Sequence, residues 1–105
     1  PEMGSEQQEL HAKQCSGTGS LLSFFVKGGE AEAFRALDAL REARLAVSLG
    51  GIETLIEHPW SMTHADMTAD EKLHSGITEN MIRLSVGLED VDDVIEDIRQ
   101  ALDRI

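Results

Sequence analysis

The sequence is short of cysteine, proline and aromatic side chains, and each shortage narrows what the chain can be. Its 105 residues include one cysteine (Cys15), two prolines and no tyrosine, and only 4% are aromatic. A single thiol cannot close an internal disulfide, so a reducing, cytoplasmic compartment is expected. No apolar run approaches membrane-spanning length, and nothing at the start reads as a signal peptide. Positive charge is scarce as well. Nine Lys and Arg stand against 20 Asp and Glu, a formal net charge of −11. Without clustered Lys and Arg, a general nucleic-acid or anionic-membrane surface is disfavoured. There is no internal repeat and no low-complexity tract.

What is present is ordinary globular material. Hydrophobic residues make up 41% of the chain, which argues against wholesale disorder. The length allows at most one domain with a modest core. Acidic residues gather late, at Glu89, Asp90, Asp92, Asp93, Glu96, Asp97 and Asp103, and read as a solvated helix face.

Residues 1–15 are expected to be a linker and short helix entering a domain that occupies 16–105. The chain starts without an initiator Met, as if inside something longer. "CSGTGS" is a turn-rich joint. It has neither the lysine of a P-loop nor a following helix, so a phosphate cradle is not expected. "LLSFFVKGG" predicts a strand with Leu22, Phe24 and Val26 on one face. "EAEAFRALDALREAR" predicts a helix over 30–44, with Ala33, Phe34, Leu37 and Leu40 at helical spacing. "LAVSLGG" and "ETLIEHP" predict a second and third strand, the third stopped by Pro59. "TADEKLHSG" predicts a short helix with Thr68 as N-cap, Glu71 completing a capping box, and Gly76 ending it. "MIRLSVG" predicts a fourth strand. The last helix carries an apolar stripe of Val91, Val94, Ile95, Ile98, Ala101, Leu102 and Ile105 behind an Asp90 N-cap. The expected fold is α+β: a small antiparallel sheet of about four strands, covered on one face by helices. The other face would carry Leu21, Ser23, Phe25, Met81, Arg83 and Ser85. So apolar a surface implies a covering domain or subunit.

Arg83 sits in the middle of an otherwise apolar strand, and a solvated face is the plain explanation. His58, His64, Asp66 and His74 match no tight ligand spacing, so no metal is expected. Cys15 has no obvious thiolate-stabilising cation beyond Lys13, so a catalytic cysteine is not expected.

Three stretches together carry a resemblance: "LLSFFVKGG", "AVSLGGIETLIEHPWSMTH" and "GITENMIRLSVGLEDVDDVIEDIRQAL". In order and separation they resemble the C-terminal domain of the Cys/Met-metabolism family of pyridoxal-phosphate (PLP) enzymes. That family includes cystathionine γ-lyase and γ-synthase, methionine γ-lyase and the homoserine-ester sulfhydrylases. The resemblance implies the small domain of the type I PLP-dependent transferase fold. It implies that Arg83 binds the α-carboxylate of an amino-acid substrate, a task suited to a planar, always charged fork. It places Ser48 and the Leu49 N–H beside the same carboxylate, and Thr63 near the arginine. Plain alternatives are a strand-end hydroxyl for Ser48 and a loop hydroxyl for Thr63.

Val47 stands where cystathionine-handling relatives often have an acid. Valine fits a short thioether or an ester side chain better, which favours a methionine γ-lyase-like or a γ-replacing sulfhydrylase-like activity. The expected function is methionine γ-lyase-like elimination, with γ-replacement by a cystathionine γ-synthase or O-acylhomoserine sulfhydrylase as the alternative. The plain alternative is a valine in a strand, where valine is common.

The resemblance also implies pyridoxal 5'-phosphate as electron sink and a homotetramer. Its catalytic lysine and most cofactor contacts belong to a large domain upstream. Lys13, Lys27 and Lys72 match none of these, so this chain alone is expected to be inactive. Trp60 replaces a commonly small residue. An alternative of another class is a non-catalytic acidic interaction module.

Overall fold

A computed structural model describes residues 4–105; the start of the expected linker, residues 1–3, lies outside the described residues. The elements run α1 (Ser5–Gln14), β1 (Leu21–Phe25), α2 (Glu30–Asp38), β2 (Arg44–Leu45), β3 (Leu55–Glu57), α3 (Ala69–His74), β4 (Met81–Ser85) and α4 (Val91–Leu102). One four-stranded sheet has the order β1-β4-β3-β2. The last strand in the chain is therefore central. β4 pairs antiparallel with β1 on one side and with β3 on the other. The sheet is mixed rather than wholly antiparallel, because β2 runs parallel to β3.

Strand alternation divides the side chains between two faces. Phe24, Ile56, Ile82 and Leu84 turn to the helical layer. They meet Ala33, Ala36 and Leu37 of α2 in the core, with Ile98 and Leu102 of α4 packed against it. The apolar stripe of α4 is only partly used. Val94 and Ala101 are buried, whereas Val91 and Ile95 are 64% and 47% exposed. On the opposite sheet face Leu21 and Phe25 are also about half exposed. α1 buries none of its side chains.

Two further expectations change. The helix predicted over 30–44 stops at Asp38. Beyond it the backbone turns so that the Arg41, Glu42 and Ala43 N–H groups all donate to the Asp97 carboxylate, at 2.8–2.9 Å. A distant acid thus overrides local helix propensity. The strand predicted over "LAVSLGG" is only Arg44–Leu45. Residues 46–53 leave the sheet and form a loop with Gly50 at φ +73°. The capped helices match their sequences. Thr68 Oγ1 accepts from the Glu71 N–H while Glu71 reaches back to the Thr68 N–H, and Asp90 accepts from the Asp92 and Asp93 N–H groups.

Candidate functional site

Arg83 points to the sheet face away from the helices. Its register partner on β3 is Glu57, which alternation puts on the same face. The two form an ion pair, Arg83 Nη1 to Glu57 Oε1, at 2.9 Å. Burial is strongly uneven: the Glu57 side chain is 1% exposed and that of Arg83 17%. Glu57 Oε1 also accepts from Thr63 Oγ1 at 3.1 Å. Thr63 Oγ1 lies 2.8 Å from His64 Nδ1. With its one proton directed to Glu57, the hydroxyl accepts there, which assigns the His64 proton to Nδ1.

The other arm of the guanidinium meets the 46–53 loop. Arg83 Nη2 donates to the carbonyls of Val47 (2.9 Å) and Ser48 (3.3 Å). The loop is tied down beside it, because the Gly50 N–H donates to the buried Ser85 Oγ at 2.8 Å. At its far end the Thr54 N–H and Oγ1 both donate to Glu89, each at 2.8 Å. The Thr54 N–H is the main reason the Glu89 carboxyl is held below the usual range.

The residues singled out in the sequence thus converge on one patch. Arg83 is its centre, Val47 and Ser48 touch it through their carbonyls, Leu49 follows directly, and Thr63 is one carboxylate away. The Ser48 hydroxyl and Leu49 N–H make no hydrogen bond among the described residues. The residue missed is Glu57. The signal was present: one acid and one arginine on strands that both alternate. The pairing register needed to connect them was not.

The remaining candidates have local partners. His58 is fully buried; its Nε2 donates to the Glu79 carbonyl and its Nδ1 meets Ser61 Oγ. Lys72 is buried with Nζ 4.5 Å from the Trp60 ring centroid, a cation–π contact. Trp60 therefore packs on a neighbour in this chain. Lys13 and Lys27 are exposed. None of these lysines stands in the Arg83 patch, and the described residues present no lysine and phosphate cradle that would fit a pyridoxal cofactor.

A family model described as Cys/Met metabolism PLP-dependent enzyme matches residues 2–103. The chain belongs to that family. Among its relatives, an L-methionine gamma-lyase of Treponema denticola is 48% identical over 99 residues, 94% of this chain and 25% of the relative. A cystathionine gamma-lyase of Dictyostelium discoideum is 46% identical over 98 residues, 93% of this chain and 25% of the relative. In the family's solved structures, cystathionine gamma synthase from Xanthomonas oryzae pv. oryzae, in complex with aminoacrylate and cysteine, superposes with a TM-score of 0.87. That match has 46% identity and covers 92% of this chain and 25% of the other. The chain spans about a quarter of the length of these relatives.

Proposed function

We propose that this chain is the C-terminal, substrate-carboxylate-binding domain of a PLP-dependent carbon–sulfur lyase that carries out methionine γ-lyase-like γ-elimination. The observation that carries the reading is Arg83, a mostly buried guanidinium on a central strand with the Val47 and Ser48 carbonyls on its Nη2. A carboxylate arriving there exchanges with the loop carbonyls as acceptor and gains a charge-assisted, two-pronged contact. The Leu49 N–H and Ser48 hydroxyl supply further donors. Fixing the carboxylate fixes the direction of the substrate's Cα–H bond, which is how this domain assists proton abstraction. Pyridoxal 5'-phosphate, when bound, supplies the electron sink. In this reading the cofactor and its lysine belong to a large domain outside the chain. That domain covers the open sheet face, and the assembled enzyme is a cytoplasmic homotetramer of sulfur amino-acid metabolism.

Val47 supports elimination from a short thioether. Val47 is 53% exposed beside Arg83 and offers no acid to the distal ammonium of cystathionine. The likeness to a cystathionine gamma synthase at 46% identity favours γ-replacement as the second reading. The test is steady-state kinetics of the full-length protein with L-methionine, measuring methanethiol release. Arg83→Ala is expected to raise KM about 100-fold, the loss of a charge-assisted fork. An unchanged KM defeats the assignment. Cystathionine formation from an O-acylhomoserine and cysteine, without methanethiol release from methionine, moves the activity to γ-replacement.

A further inference from the structure

Arg83 is not held by the sheet alone. A long, flexible side chain reaches its working position only if something fixes its tip. On the inner side one atom does this: Glu57 Oε1, which takes Nη1 at 2.9 Å while itself held by Thr63 Oγ1 at 3.1 Å. The carboxylate is 1% exposed and lies on the neighbouring central strand, so it cannot swing with the loop. Its second oxygen, Oε2, is buried and has no hydrogen-bond partner among the described residues. Half of the carboxylate is thus engaged and half is not, an arrangement suited to locating a donor.

We infer that Glu57 is a positioning residue for Arg83: it sets the direction from which the guanidinium meets a substrate carboxylate, through one oxygen and by geometry rather than by charge. This deepens the proposed function and rests on Arg83 being the carboxylate-binding group. Thr63 acts one step further back, by holding Oε1.

Two conservative variants separate geometry from charge. Glu57→Gln keeps a side-chain oxygen for Nη1 and Thr63, and because Oε2 is unpartnered the new amide nitrogen replaces no existing bond. Glu57→Asp keeps the charge but withdraws the oxygen by one methylene. The probes are L-norleucine, an α-amino acid with no γ leaving group, and n-pentylamine, the same skeleton without the carboxylate. Their dissociation constants from the full-length protein loaded with cofactor are measured by calorimetry, beside Arg83→Ala as reference. The expected result is that Glu57→Asp weakens norleucine about tenfold, leaves pentylamine within about twofold, and Glu57→Gln stays within about threefold of the parent for both. The reverse order, with Gln weak and Asp intact, makes Glu57 a charge-balancing group and overturns the inference. Equal losses for the two probes make it merely structural and overturn it too. Unchanged norleucine binding in both Glu57 variants, with Arg83→Ala still weak, removes Glu57 alone. Unchanged norleucine binding in Arg83→Ala removes the carboxylate site itself.

Discussion

Single residues in this chain act over long sequence distances, and Asp97 does so most clearly. Burial works against its ionisation, but the N–H groups of Ala43, Arg41 and Glu42 and the Gln100 amide outweigh it and hold the carboxyl below the usual aspartate range. Its folded value is lower than its unfolded one. Its contribution is therefore complete above the unfolded value, near 4, and is lost as pH falls through the depressed one. Urea midpoints measured from pH 6 down to 2 are expected to decline below about pH 4, and this Asp97 part of the decline disappears in Asp97→Ala. That variant leaves three N–H groups without their acceptor, so it costs about 2–4 kcal/mol at pH 7. At the patch, Arg83→Lys retains charge but loses the fork, and its KM is expected to rise nearly as far as in Arg83→Ala. Val47→Glu is expected to shift the ratio of kcat/KM values from methionine toward cystathionine by about tenfold, read in a competition assay. Arg83, Ser48, Leu49 and Thr63 could be picked out in the sequence because family spacing marks them. Glu57 could not, since an acid beside His58-Pro59 reads as an exposed strand end until the strands are paired.

Elements governed by neighbours in sequence were legible; elements governed by distant partners were not. α3 and α4 carry their start signals within three residues, at Thr68–Glu71 and at Asp90. Asp90→Ala is expected to cost about 1 kcal/mol in chemical denaturation, the usual worth of an N-cap. α2 has no comparable stop signal. Its end is set by an acid 54–56 residues away. β2 reads as longer than it is because Val47 and Leu49 are good strand residues, yet Arg83 and Ser85 draw the chain out of the sheet just there. β4 ends where the backbone passes close to residues 52 and 53. A methyl on Gly87 would fall inside contact distance of the Ile52 carbonyl and the Glu53 backbone. Gly87→Ala is therefore expected to lower stability by about 1–3 kcal/mol, although Gly87 has an ordinary backbone conformation.

At the scale of the whole molecule the net charge of −11 makes self-repulsion a standing cost. Raising ionic strength from about 20 to about 150 mM shortens its range severalfold and is expected to raise Tm, a trend that thermal scans with a neutral-salt series would show or refute. Among the described residues no helix is long and apolar enough to cross a membrane. The two-layer plan followed from periodicity alone, whereas the strand order did not, because nothing local says that the last strand goes to the middle. That order bears on how the protein is made. Ser23 pairs with Arg83, 60 residues later. At about 5–20 residues per second, translation leaves β1 waiting roughly 3–12 seconds for its partner. Through that interval Leu21, Leu22 and Phe25 lie on an unpaired strand, the kind of edge that recruits other nascent chains. The arginine at the centre of the patch thus also lies on the strand whose arrival gives β1 its partner.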